Sequence, residues 1–179
     1  MTKMDRARIL ATEAHAGQWR KYNRAPYIVH PHQVHEEVMA WATKAGISEE
    51  DQNIMGQAAW LHDVLEDCPQ ITKERIIQET DEATFNLMLE LTNPSKGSKA
   101  NRAARKQMDR DHLAHVSRWA KIIKMIDRRV NLGDLGTCPD RDFVALYARE
   151  SRALLECLKD ADTELAQTLL AQIEALEAL

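Results

Sequence analysis

Apolar residues recur along this chain at three- and four-residue steps, the spacing of one face of an α-helix. The C-terminal run ELAQTLLAQIEALEAL is the clearest case: Leu165, Leu169, Ile173 and Leu176 fall in register, and the segment reads as a helix that closes the core. Alternating Val, Ile and Thr runs are scarce, and six glycines and five prolines leave little room for sheet. The pattern predicts helices over 4–20, from Pro31 to Gly46, from behind Ser48 up to Pro69, and over 73–79, 82–92, 101–116, 117–131, 143–158 and 161–178. Ser48, Thr72 and Asp81 read as N-caps, because a short side-chain oxygen can take an orphan amide of the first turn. Pro31 suits a first turn, where no backbone N–H is required. Loops are expected at Tyr22-Asn23-Arg24-Ala25-Pro26, at the breaker-rich NPSKGSKAN (93–101), read as mobile, and at LGDLGTCPDRD (132–142). The expectation is one all-α domain over 1–179, a bundle of about eight to ten helices with little or no sheet.

Two helical segments carry charge where the pattern calls for apolar residues. In AAWLHDVLEDC (58–68), His62-Asp63 is followed four positions later by Glu66-Asp67. A continuous helix would put His62 over Glu66 and Asp63 over Asp67. Crowded carboxylates on an otherwise apolar helix call for something positive, and a divalent metal is the simplest solution. In AKIIKMIDRRVN (120–131), Asp127 emerges from a run of Ile122, Ile123, Met125 and Ile126 that reads as buried, so it too needs a partner. His30, in PYIVHP, stands at a loop-to-helix junction from which a side chain is easily aimed into a cleft. Two imidazoles and two carboxylates form a mixed N/O set suited to Mn²⁺, Fe²⁺ or Zn²⁺, with the hardness of the set favouring Mn²⁺.

Composition narrows the function classes. At 179 residues the chain can bury a core without staples. A formal net charge of −4 argues against a general nucleic-acid or membrane-surface binder. Cys68, Cys138 and Cys157 form no CxxC pair, which disfavours a disulfide framework or structural zinc site and fits a reducing cytoplasm. No segment approaches membrane-spanning length, and MTKMDRARILATEAHAG lacks the apolar stretch of a signal peptide. His15 reads as a structural histidine. His32, His35, His112 and His115 read as surface residues, the last two beside Asp109, Arg110 and Asp111. The four tryptophans read as core, with Trp19 placed to line a pocket beside Arg20.

The order AHAGQWRKYNRAPYIVHP (14–31), AAWLHDVLEDC (58–68), LTNPSKG (91–97), IKMIDRRVN (123–131) resembles the HD-domain alarmone hydrolases of the RelA/SpoT family, and the length resembles their stand-alone small members. The resemblance implies a Mn²⁺-dependent 3′-pyrophosphohydrolase that converts guanosine tetra- and pentaphosphate to GDP or GTP plus pyrophosphate. It implies His30, His62, Asp63 and Asp127 as metal ligands. Glu66 and Asp67 match the family's acidic pair, with Glu66 assigned to the attacking water and Asp67 to its support. Arg20 and Lys21 match the Arg-Lys pair that meets the purine and phosphate, and Asn131 matches the asparagine near the nucleoside. The chain departs from the family pattern at Ala25, Cys68, Arg129-Val130 and Gly133, none of them a metal ligand or catalytic acid.

Lys124, three residues before Asp127, shares its helical face. Lys96, Lys99, Arg102, Arg105 and Lys106 form a second basic cluster, which reads either as a solvated face or as a site for the 5′ phosphates. The expected partner is a small guanosine polyphosphate, with no nucleic acid or membrane, and no motif specifies an oligomeric state. Two other readings use the same residues. One is an HD-type phosphatase of another nucleotide, NADPH or a nucleoside monophosphate; the other is a weakly active alarmone-binding regulator.

Overall fold

Thr2 opens the first helix with a reciprocal cap: its hydroxyl accepts from the Asp5 amide, and the Asp5 carboxylate accepts from the Thr2 amide. The computed structural model describes residues 1–21 and 24–178. Among them are ten α-helices, one 3-10 helix and no strand, the nearest approach to sheet being an isolated bridge between Trp19 and Pro26. The all-α expectation holds. The chain divides into two compact units, Met1–Thr92 and Asn93–Leu179.

In the first unit, α1 (Lys3–Ala14), α2 (Val29–Lys44), α3 (Glu49–Leu61), α4 (Val64–Asp67), α5 (Lys73–Glu79) and α6 (Glu82–Leu91) follow in order. Helix α3 is the centre, packed by α1, α2 and α6, and every residue from Met55 to Leu61 is buried. Gly56 makes the close approach possible: a Cβ there would stand 2.5 Å from Met4 Cε and 2.8 Å from Met39 Sδ. The Ser48, Thr72 and Asp81 caps are present as expected, each side chain accepting from the amide three residues on.

Two boundaries differ from the sequence reading. Helix α1 stops at Ala14 rather than continuing to residue 20, because His15 and Gly17 turn the chain, Gly17 at φ +78° where a side chain would be strained. The expected helix from Ser48 to Pro69 breaks at His62-Asp63 into α3 and α4. There the His62 side chain bonds the Ala59 carbonyl, which an uninterrupted helix would offer to the Asp63 amide. Of the loop expected before Pro26, Tyr22 and Asn23 lie outside the described residues.

The second unit contains α7 (Arg102–Leu113), α8 (Arg118–Gly133), the 3-10 helix Asp134–Thr137, α9 (Arg141–Leu158) and α10 (Thr163–Glu177). Helix α8 packs against both α9 and α10, and α7 packs against α9. Every α8 residue from Ala120 to Arg128 is buried. Each Ile or Met among them contributes roughly 1.5–3 kcal/mol by leaving water. The segment expected as a loop over 132–142 is instead helix end and 3-10 turn, because Leu132, Leu135 and Cys138 are all buried and hold it down. No helix among the described residues is long and apolar enough to cross a membrane.

Candidate metal centre

The turn after α1 sets the geometry of the first unit. The Tyr27 amide donates to the Gln18 carbonyl (2.9 Å) and the His30 amide to the Tyr27 carbonyl (2.9 Å), which starts α2 with His30 facing inward. His30 and His62 side chains are each 1% exposed, and their Nε2 atoms lie 3.2 Å apart. Asp63 Oδ2 lies 3.1 Å from His62 Nε2 and 3.6 Å from His30 Nε2.

The proton on His62 can be assigned. Its Nδ1 lies 2.8 Å from the Ala59 carbonyl, which only accepts, so Nδ1 carries the hydrogen and Nε2 presents a lone pair in the neutral ring. A carbonyl fixing the far nitrogen is the usual support of a metal-binding imidazole. That lone pair, His30 Nε2 and Asp63 Oδ2 converge within 3.6 Å of one another. A divalent cation satisfies all three ligand atoms at once, so the residues present fit a metal.

Around these three, the Tyr27 hydroxyl donates to Asp63 Oδ2 at 2.6 Å, and the Tyr27 ring lies 4.7 Å from that of His15 and 5.8 Å from that of His30. His15 is buried, with Nδ1 2.8 Å from Gln18 Oε1 and 3.5 Å from Cys68 Sγ, consistent with its structural reading. The Arg20 guanidinium lies 5.8 Å from the Tyr27 ring centroid, and Lys21 is exposed. On α4, Glu66 is half-buried and Asp67 exposed, and the amides of both donate to the Asp63 carbonyl.

In the second unit, Asp127 is buried on α8 between two neighbours of its own face. The Asn131 side-chain amide donates to Asp127 Oδ1 at 2.7 Å, and Lys124 Nζ lies 3.5 Å from Oδ2. The expected lysine, aspartate and asparagine face therefore forms. The basic cluster is more divided. Lys96 and Lys99 are exposed, whereas Arg102 forks onto Glu150 (2.6 and 2.9 Å) and Arg105 donates to the Ala100 carbonyl (2.7 Å). Burial, reinforced by the Arg128 charge, lowers the pKa of the Lys106 ammonium, with Asp109 and Glu150 offsetting part of the effect.

No family model matches the chain. A Xenopus tropicalis protein, guanosine-3′,5′-bis(diphosphate) 3′-pyrophosphohydrolase MESH1, is 34% identical over 129 residues, covering 72% of this chain and 66% of the relative. The chain belongs to the RelA/SpoT-type HD-domain alarmone hydrolases. A solved structure of a metazoan ortholog of SpoT, described as hydrolyzing ppGpp and acting in starvation responses, superposes at a TM-score of 0.77 with 25% identity, over 98% of this chain and 95% of its own.

Several sequence expectations change. His35 is half-buried rather than a surface residue: it stacks on Trp60 (centroids 5.0 Å apart), and its Nδ1 donates to the Gly56 carbonyl. Asp109 is buried and accepts from the Ser95 amide at 3.2 Å, which pins the 93–101 segment. Only Trp60 of the four tryptophans is buried, and Trp19 is 64% exposed. The pattern also passed over Tyr27.

Proposed function

We propose that this chain is a metal-dependent phosphohydrolase that removes pyrophosphate from the 3′ position of guanosine tetra- and pentaphosphate, its two units acting as one domain. The carrying observation is the cluster of buried His30 and His62 with half-buried Asp63 in a chain 34% identical to a guanosine-3′,5′-bis(diphosphate) 3′-pyrophosphohydrolase.

The family resemblance implies Asp127 as a ligand beside His30, His62 and Asp63, and its side chain, like those of His30 and His62, is buried. The mixed N/O donors suit Mn²⁺ first, with Fe²⁺ and Zn²⁺ as the other ions that such a set accepts. Bound there, the ion supplies Lewis acidity at a phosphoryl oxygen and lowers the pKa of a water.

The remaining chemistry belongs to side chains. Glu66, half-buried one turn beyond Asp63, accepts the proton of the attacking water, and Asp67 supports it. Arg20 presents its guanidinium plane to the purine and Lys21 a point charge to phosphate. Lys124 and Asn131 meet the nucleotide from the Asp127 face. Lys96, Lys99, Arg102 and Arg105 bind the 5′ phosphates, Arg102 by exchanging part of its pairing with Glu150.

The test is turnover of guanosine tetraphosphate by Mn²⁺-reconstituted protein, with NADPH and nucleoside monophosphates assayed in parallel. The expected products are GDP and pyrophosphate, lost on chelation and in Asp63→Ala. Release of single phosphate from another substrate, with the tetraphosphate untouched, would overturn the substrate and keep the metal. Tetraphosphate binding with no turnover of any substrate would make the chain an alarmone-binding regulator.

A further inference from the structure

We infer that Tyr27 is a positioning residue of the metal centre: its hydroxyl fixes the Asp63 carboxylate in the orientation that presents Oδ2 to the two imidazoles. The inference rests on the metal reading above.

The hydroxyl lies 2.6 Å from Asp63 Oδ2, the same oxygen that lies 3.1 Å from His62 Nε2 and 3.6 Å from His30 Nε2. An ionised carboxylate has no hydrogen to give, so the phenol is the donor, and a bond this short is of the charge-assisted kind. Asp63 stands at the break between α3 and α4. A carboxylate's terminal torsion is broad and two-fold, so a short bond to one oxygen selects an orientation.

Tyr27 is itself held on several sides. Its ring tilts onto His15 and meets His30 edge-on, the Arg20 guanidinium stands 5.8 Å from its centroid, and its amide bonds the Gln18 carbonyl. His15 is anchored in turn by Gln18 and Cys68. A tyrosine has few rotatable bonds, so such packing leaves the hydroxyl little freedom. Partners of this sort, one bond behind a ligand, commonly set metal affinity by one to two powers of ten.

Tyr27→Phe keeps the ring and its packing and removes only the donor. Calorimetric titration of the metal-stripped chain with Mn²⁺ should give a Kd raised about 10–100-fold, with the circular dichroism spectrum unchanged. At saturating Mn²⁺, kcat falls while KM stays within about two-fold, because the lost bond does not touch the substrate. In an Asp63→Ala background the added Tyr27→Phe change should have no further effect on Mn²⁺ affinity.

Unaltered Mn²⁺ affinity in Tyr27→Phe, with the parent chain binding normally, would overturn the Tyr27 inference and leave the metal reading intact. A parent chain that takes up no Mn²⁺, Fe²⁺ or Zn²⁺ would overturn the metal reading and this inference with it.

Discussion

Asn131 donates its side-chain amide to Asp127 Oδ1 across 2.7 Å, one turn along the buried helix α8. That bond lets Asn131 aim the carboxylate, beside the nucleoside contact proposed for it. If Asp127 ligates the metal, Asn131→Ala should weaken Mn²⁺ binding by about ten-fold. The loss of one hydrogen bond to a charged group should cost about 1.5–3 kcal/mol of stability. A raised KM with unchanged Mn²⁺ affinity in the same calorimetric and kinetic pair of measurements would assign Asn131 to the nucleoside alone.

Arg102, proposed to meet the 5′ phosphates, is already engaged within the second unit. Its fork on Glu150 packs over Phe143, with the guanidinium carbon 5.8 Å from the ring centroid. The Arg102 side chain is 43% exposed, so the pair should contribute at most about 1 kcal/mol. Arg102→Ala should therefore lower stability slightly and raise KM for the tetraphosphate less than the double change Lys96→Ala, Lys99→Ala. The lysine effect should shrink as salt rises from low to physiological ionic strength, since both ammonium groups are exposed. KM measured at two salt concentrations separates these outcomes.

Gly56 lets three helices meet. A Cβ there would stand 2.5 Å from Met4 Cε, 2.8 Å from Met39 Sδ and 3.2 Å from His35 Cε1. The two methionine tails are flexible and only half-buried, so they can give way, and alanine regains about 1 kcal/mol of helix propensity. Gly56→Ala should fall within about 1 kcal/mol of the parent in urea denaturation. Gly56→Val adds methyls against the His35 ring as well, and should lose about 1–3 kcal/mol.

The elements that the sequence made legible are those with local causes. Ser48, Thr72 and Asp81 announce helix starts because a cap needs only its own first turn. The break at His62-Asp63 is invisible in AAWLHDVLEDC, which contains neither Gly nor Pro, because it coincides with a side-chain bond to Ala59. Gly133 and Gly136 read as loop, yet burial of Leu132, Leu135 and Cys138 turns the segment into helix end and 3-10 turn. His35 and Asp109 are polar residues with polar neighbours, and only Trp60 and the Ser95 amide, distant in sequence, explain their burial. His30, His62 and Asp127 were legible for the opposite reason. Each is a ligand-bearing side chain beside apolar residues that pull it inward. Tyr27 carries no such contradiction, so nothing in its local pattern separates it from an ordinary aromatic.

His35 gives the first unit a pH dependence with a defined sign. Burial lowers its imidazole pKa below the ordinary 6.5, outweighing the Gly56 carbonyl and the Glu36 carboxylate, which favour the cation. The unfolded chain therefore binds a proton near pH 6.5 that the folded chain still refuses. Stability contributed by the neutral ring is present above that pH and is lost as pH falls from there toward the folded value. Urea denaturation between about pH 5 and 8 should show this slope, and His35→Phe, which keeps a ring against Trp60, should flatten it. An identical pH slope in parent and variant would remove His35 as its source.

Metal binding should be visible in folding as well as in turnover. The proposed ligands come from α2, the α3–α4 break and α8, elements that the unfolded chain does not hold together. An ion that binds only the folded chain stabilises it by about 2.7 kcal/mol when supplied at 100 times its Kd. Mn²⁺ should thus raise the thermal midpoint of the parent chain, and chelator should return it to the metal-free value. Asp63→Ala should show a smaller increment, and so should Asp127→Ala if it belongs to the same site. An Asp127→Ala chain with the full Mn²⁺ increment, alongside an Asp63→Ala chain that has lost it, would confine the metal to the His30–His62–Asp63 cluster of the first unit.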